Sequence, residues 1–126
     1  MTNIKTLYTT YKGRIPRSVY WFGLVGMIVA SILVSMLLVS IGLAGQGEPS
    51  IIELIVMLGF AAIAFALYIK RFHDMGKSGW FSLLLLIPIV NLAVAFFWLG
   101  FVKGTDGDNA YGADPLAGAE LIATEE

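Results

Sequence analysis

The residues best suited to chemistry lie together between two long apolar segments. Residues 70–80 read KRFHDMGKSGW and include His73, the only histidine of the chain, beside Asp74. The pair invites comparison with a catalytic dyad, but consecutive residues of a helix do not face each other. No second histidine and no serine in a recognisable nucleophile setting accompany them. The simpler interpretation is structural: Asp74 pairs with Arg71 or caps the following helix, and His73 lies at the edge of the apolar region.

Two further patterns imitate ligand-binding loops but fail on spacing. Residues 76–78 read GKS, like the end of a P-loop, yet Arg71 occupies the position of the first glycine of that motif. Asp106 and Asp108 imitate an EF-hand, but Tyr111 replaces its obligatory glycine, which leaves at most a weak surface contact with Ca²⁺. One histidine and no cysteine argue against a transition-metal site. We therefore expect no cofactor, no metal and no enzymatic activity.

The composition places these residues in a membrane protein. Of the 126 residues, 58% are apolar and 13% are charged, and the mean hydropathy is +0.82. Soluble domains carry roughly 25% charged residues. A chain this small cannot hide so much apolar surface in its own core, so the lipid bilayer must cover it. The net charge of −1 argues against nucleic-acid binding.

Three apolar segments can position the polar cluster. A helix of about 20 residues crosses the hydrocarbon core of a bilayer, and each segment approaches or exceeds that length. Ser50 and Glu53 have the spacing of a capping box, which predicts the start of the second helix. The predicted organisation is a basic interfacial lead-in at 1–19, a transmembrane domain at 20–102 with spans near 21–43, 51–69 and 80–102, and a polar acidic tail at 103–126.

The third segment is interrupted near its middle. Pro88 removes a backbone donor and predicts a kink. The segment is either one kinked span or two half-helices that re-enter the same face. Asn91 is expected to bond a neighbouring helix or the carbonyls that Pro88 leaves free. A full crossing places the tail outside the cell, whereas re-entry places it in the cytoplasm.

The basic residues predict the orientation. Lys and Arg number four before the first span, none in the first turn, three in the loop predicted at 70–79 and one in the tail. The positive-inside rule then places the N-terminus and that loop in the cytoplasm. Within the resulting cluster, Arg14 or Arg17 is expected to pair with Asp74. The basic residues either only orient the protein or form a pocket for a lipid phosphate or another anion. The candidate cluster is Arg14, Arg17, Arg71, His73, Asp74, Lys77, Ser78 and Trp80.

Three ordered motifs resemble a known family. They are Gly13-Arg14-x-x-Arg17-x-x-Tyr20-Trp21, Arg71-x-His73-Asp74-x-Gly76-x-Ser78-Gly79-Trp80 and Gly104-Thr105-x-Gly107-x-Asn109-x-Tyr111-Gly112-x-Asp114-Pro115. Together they resemble the domain-of-unknown-function 805 family, which includes the YhaH-like small bacterial inner-membrane proteins. The resemblance implies a multi-span helical body in the bacterial inner membrane and no established activity. The chain departs from the family pattern at Ala110, usually Arg, and at Ala113, usually Pro.

These observations predict an all-α integral membrane bundle with three apolar segments, the third kinked or re-entrant at Pro88. Three thin helices leave packing faces uncovered, so we expect a homo-oligomer or a partner membrane protein. The expected function is a structural or interaction role that contacts lipid headgroups or a partner protein. The alternative is a small transporter or channel subunit, in which a wet path is lined by Pro88, Asn91 and Ser31 or Ser35.

Overall fold

The computed structural model describes residues 4–116, and the regular structure within them is helical. The all-α prediction is confirmed for these residues, whose single β-bridge joins Asn109 to Gly112. The helices are α1 (Ile4–Thr9), α2 (Arg17–Ser40), α3 (Ile51–Asp74), a 3-10 helix (Gly79–Leu86) and α4 (Pro88–Phe101), which has π-helical bonding over Ala93–Trp98.

Helices α2 and α3 are the two described helices long and apolar enough to cross a membrane. Each has 24 residues, which corresponds to about 36 Å. Helix α3 begins at the predicted capping box, because Ser50 Oγ accepts from Glu53 N at 3.2 Å and the Glu53 carboxylate accepts from Ser50 N at 2.7 Å. Helix α2 follows Pro16 directly and starts four residues before the predicted span.

Helix α3 continues well past the predicted end of the second span. The sequence analysis placed a loop at 70–79, and this is wrong for 70–74, which complete the last turns of α3. The prediction assumed that these charged residues leave the helix in order to reach water. In the structure Lys70, Arg71 and Asp74 are instead buried against other parts of the protein, so the helix continues through them. The chain leaves the helix at Gly76, whose φ of +75° is accessible to glycine at little cost.

The third apolar segment doubles back on itself. The Phe72 ring packs against Phe81 before Pro88 and against Trp98 after it, with centroids 5.9 and 5.4 Å apart. Beyond the segment, Thr105 N donates to Asp74 O at 2.7 Å. Both ends of 80–102 therefore lie at the C-terminal end of α3. Within the described residues the segment forms two helices on either side of Pro88 and not one continuous helix.

The reversal occurs at Pro88, the first residue of α4. In a 3-10 helix each N–H bonds the carbonyl three residues earlier, so proline at 88 leaves Leu85 O without its donor. Asn91 Nδ2 donates to that oxygen at 2.8 Å. The amide thus serves the backbone at the turn, which is one of the two roles expected for Asn91.

Buried side chains concentrate at one end of the α2–α3 hairpin. Helix α1 packs there, since Tyr8 Oη donates to Gly23 O at 2.9 Å and Lys70 Nζ donates to Leu7 O at 2.5 Å. The other halves of α2 and α3 expose apolar side chains such as Leu33, Met36 and Leu58. The core that positions the polar cluster comprises residues from every helical element, among them Leu7, Ile15, Tyr20, Leu67, Phe72, Leu85 and Leu99.

Candidate functional site

A buried ionic cluster lies at the C-terminal end of α3, with Asp74 at its centre. Asp74 Oδ1 accepts from Arg14 Nε at 3.1 Å, and Asp74 Oδ2 accepts from Arg71 Nη1 at 2.7 Å. The three side chains are between 0% and 5% exposed. Two guanidinium groups share one carboxylate, so the remaining positive charge must be stabilised by other acceptors.

Main-chain carbonyls supply those acceptors. Arg14 has five N–H groups, and each has an acceptor in the structure, which leaves none for an outside ligand. Arg71 Nε donates to Leu99 O at 2.8 Å, and its Nη2 donates to Val102 O. The acceptors of Arg14 are Asp74 Oδ1 and the main-chain oxygens of Thr105 at 2.6 Å, Gly107 at 2.7 Å, Gly112 at 3.2 Å and Asp74 at 3.4 Å.

Residues 104–112 of the tail close over this cluster. A Cβ atom at Gly104 would lie 2.0 Å from Asp74 Oδ2, so only glycine permits this approach. Further along, Asn109 Nδ2 donates to His73 O at 2.8 Å. The Tyr111 ring stacks on the His73 ring at 4.0 Å with an interplanar angle of 3°. The tail motif thus meets the motif at the end of α3.

The tail loop is held by its own polar contacts. Asp114 accepts from Leu116 N at 2.9 Å and from Gly107 N at 2.8 Å. These backbone hydrogen bonds, that of Leu116 first, hold the pKa of the Asp114 carboxyl below its ordinary value. One of these bonds is made by Gly107, whose carbonyl accepts from Arg14.

The three sequence motifs therefore converge on one end of the molecule. Arg14 from the first motif binds Asp74 of the second and the carbonyls of the third. Beside them, His73 Nδ1 lies 3.1 Å from Gly13 O. Of the eight candidate residues, Arg14, Arg71 and Asp74 form the cluster itself and His73 borders it.

The other four candidates lie outside the ionic cluster. Arg17 is exposed and donates to Phe101 O at 2.9 Å, so Arg14 and not Arg17 is the partner of Asp74. Lys77 Nζ lies 5.7 Å from the Phe81 ring centroid and 5.9 Å from that of Trp98. Ser78 caps the 3-10 helix and Trp80 is 76% exposed.

Two contributions to the site were missed from the sequence. Lys70 is 3% exposed and donates to the carbonyls of Thr6 and Leu7 at the end of α1. No side chain in the sequence indicated that the main-chain carbonyls of the tail loop would bind Arg14. Glycines at 104, 107 and 112 were the available clue, because glycine permits close approach of backbone to another group.

The contacts of the ionic cluster join separate parts of the same chain. One of the two sequence interpretations was a pocket for a lipid phosphate built on these arginines. Arg14 cannot bind a phosphate in this arrangement, because all five of its N–H groups already have acceptors within the protein. Within residues 4–116 no group of three metal-ligating side chains is close enough to hold a metal ion. The cluster can join the lead-in, the end of α3 and the tail into one rigid unit.

Comparison with known proteins identifies relatives over most of the chain. The chain is 32% identical over 113 residues to the inner membrane protein YhaI of Escherichia coli (strain K12), which covers 89% of this chain and 91% of YhaI. It is 29% identical over 112 residues to the inner membrane protein YhaH of the same strain, covering 86% and 88%. No solved structure gives a significant match. A family model described as protein of unknown function (DUF805) matches residues 8–113, and the chain belongs to that family.

Proposed function

We propose that the protein resides in a bacterial inner membrane with two spans, one re-entrant segment and both termini in the cytoplasm. Three observations support this. Relatives over most of the chain are named inner membrane proteins. Helices α2 and α3 have the length and apolarity of spans. The segment 80–102 begins and ends beside Asp74. At that end of the molecule, seven of the eight Lys and Arg residues lie before or at the start of α2, or at or just after the end of α3.

The depth of re-entry follows from its contacts with α3. Phe65 and Leu83 line one groove, and Phe65 lies nine residues before Asp74. Nine helical residues correspond to about 13 Å, so Leu83 lies about that far from Asp74 along α3, and the segment turns at Pro88, five residues further on. At the turn, Leu86, Ile87 and Ile89 expose apolar side chains, which suits contact with lipid. Asn91 supplies a donor to the carbonyl of Leu85, because backbone groups within a membrane must be satisfied by the protein.

The proposed role is structural or interactive and not enzymatic. The observation that carries this proposal is the closure of the ionic cluster: Arg14, Arg71 and Asp74 are occupied with one another and with backbone. The surface that a partner can contact at this end of the molecule is a basic rim, which consists of Arg17, Lys77 and the exposed Trp80. Such a rim attracts anionic lipid headgroups at about 1 kcal/mol per cation.

The membrane-facing surface supports an assembly as part of the same proposal. Outer halves of α2 and α3 expose Leu33, Met36 and Leu58 to the bilayer or to another helix. A cleft of about 450 Å³ between these helices is lined partly by Ser31, Ser35 and Glu53. Small residues beside such a cleft allow close helix packing in lipid, which favours a second copy or a partner membrane protein there.

The transporter alternative receives less support. It requires Ser31 or Ser35 to share a wet path with Asn91 and Pro88. The two serines line the cleft between α2 and α3, whereas Asn91 donates within the re-entrant turn.

Cysteine labelling tests the proposed topology. The chain has no cysteine, so single substitutions Lys12→Cys, Gln46→Cys and Ala110→Cys report each position alone. All three residues are exposed. With a membrane-impermeant maleimide on cells whose outer membrane is permeabilised, we expect labelling of position 46 only. In inverted vesicles we expect labelling of positions 12 and 110. External labelling of position 110 would mean that the segment crosses completely.

Lipid titration tests the proposed rim. We expect phosphatidylglycerol to raise the melting temperature of the detergent-purified protein more than phosphatidylcholine does. In the double variant Arg17→Ala/Lys77→Ala this difference should shrink, because two cations of about 1 kcal/mol each are lost. The control is Lys103→Ala, whose ammonium already pairs with Asp106 at 2.9 Å. An unchanged lipid preference in the double variant contradicts the rim as the headgroup contact.

A further inference from the structure

A groove of about 400 Å³ runs along α3 beside the ionic cluster. Phe65, Ile69 and His73 line it at intervals of four residues, which places them on one face of the helix. Eight residues of helix make the groove about 12 Å long. Leu83 of the 3-10 helix forms the opposite wall, and Tyr111 of the tail closes one end.

The groove is amphipathic along its length. Its deep end is formed by Phe65, Ile69 and Leu83 and offers only hydrocarbon. Its other end carries His73, Ser78 and Tyr111, at the level of the tail. In the proposed membrane setting the apolar end lies within the bilayer and the polar end lies at the headgroups, close to the exposed indole of Trp80.

The hydrogen bonds of His73 define what its free nitrogen can bind. Nδ1 lies 3.1 Å from Gly13 O, and a carbonyl oxygen can only accept, so Nδ1 carries the hydrogen. In the neutral imidazole Nε2 is then an acceptor. Nε2 lies beside Gly79, 3.4 Å from the position that a Cβ atom would take there. No described residue donates to it.

We propose that this groove binds one phospholipid whose headgroup donates a hydrogen bond to His73 Nε2. One acyl chain lies along Phe65, Ile69 and Leu83 and covers their apolar side chains. The donor is an ammonium or hydroxyl group of the headgroup. The volume of about 400 Å³ lies within the range of about 300–1,000 Å³ for small-molecule sites, and the length of about 12 Å accommodates part of one acyl chain. The inference rests on the proposed membrane setting but not on the basic rim.

Two zwitterionic lipids test the donor requirement. Phosphatidylethanolamine has an ammonium that donates hydrogen bonds, whereas phosphatidylcholine of the same chains has none. Both have zero net charge, so attraction to the basic rim does not separate them. We expect the delipidated full-length protein, titrated in native mass spectrometry, to prefer phosphatidylethanolamine about fivefold, the effect of one net hydrogen bond. Equal affinity for the two lipids would overturn the proposal.

The variant His73→Asn should remove this preference. Its amide can still donate to Gly13 O but offers no acceptor at the position of Nε2. We expect affinity for phosphatidylethanolamine to fall to that for phosphatidylcholine while the variant still melts in one cooperative transition. A fivefold preference retained in a folded His73→Asn protein contradicts the assignment.

A groove-filling variant provides an independent test that leaves His73 intact. Leu83 is 51% exposed, so Leu83→Trp adds its ring over the groove without entering the core. We expect loss of the tightly retained lipid in Leu83→Trp. The matched control is Leu86→Trp on the same 3-10 helix, where Leu86 is 65% exposed and outside the groove lining. Equal lipid retention by the two variants would show that the lipid binds elsewhere.

Discussion

Replacement of Asp74 by alanine is expected to lower the free energy of unfolding by about 3–5 kcal/mol, the cost of leaving a buried ion unpaired. The loss is large because one carboxylate serves two guanidinium groups. Arg14 and Arg71 would keep their carbonyl acceptors but lose the only negative charge that contacts them in the described residues. The measurement is denaturant unfolding in detergent micelles, followed by tryptophan fluorescence.

A double-mutant cycle assigns the loss to the proposed partner. Asp74→Ala and Arg14→Ala should be strongly non-additive, because each removes the same contact. Asp74→Ala and Arg17→Ala should be additive, since Arg17 donates to Phe101 O and does not touch the carboxylate. Additive losses for Asp74 with Arg14 would contradict the bridge.

The matched control for charge removal is Asp106→Ala. Asp106 pairs with Lys103 at 2.9 Å, but its side chain is 78% exposed. Exposed pairs contribute about 0–1 kcal/mol, so this variant should unfold almost as the parent does. A comparable loss at Asp106 and Asp74 would mean that burial is not the cause.

Replacement of Gly104 by alanine is expected to be the most damaging substitution of a single methyl group. The added Cβ would lie 2.0 Å from Asp74 Oδ2, 2.5 Å from its Cγ and 2.9 Å from its main-chain oxygen. The carboxylate cannot swing aside, because Arg14 and Arg71 hold its two oxygens. We expect a loss of at least about 1–3 kcal/mol, as for overpacked cores, measured by the same unfolding assay.

The tail itself reports the mechanism of that loss. If Gly104→Ala lifts the tail from the cluster, a cysteine at position 110 should react faster with maleimide in the variant than in the parent. The control is Gly59→Ala in α3, where nothing lies within 4 Å of the added Cβ. Glycine within a helix costs about 0.5–1 kcal/mol relative to alanine, so this change should stabilise. A neutral effect at Gly104 would show that the tail does not sit on Asp74.

Local features of the chain were predictable because their causes are local. Apolar runs of sufficient length predicted α2 and α3, and the Ser50–Glu53 spacing predicted the residue at which α3 begins. Pro88 predicted the interruption of the third segment. The end of α3 was not predictable in the same way, because the acceptors that allow Lys70 and Arg71 to be buried come from α1 and α4, which are distant in the sequence.

The pairing within the cluster depended on tertiary structure. Arg14 and Arg17 are comparable candidates in the sequence, because both lie far from Asp74, which is 60 residues beyond Arg14. The choice follows from the direction of α2: Arg17 is its first residue and points to Phe101, whereas Arg14 precedes the helix and reaches inward.

The sequence by itself determined a helical membrane protein and predicted two of its three polar motifs at one end, because hydropathy and the positions of basic residues can be read from the chain directly. Only the tertiary structure decided that the third segment returns, since the proline permits a kink or a reversal alike. The return brings the carbonyls of the tail to Arg14. Backbone oxygens are common to every residue and carry no mark in a sequence, so a site completed by them becomes visible only once the chain is folded.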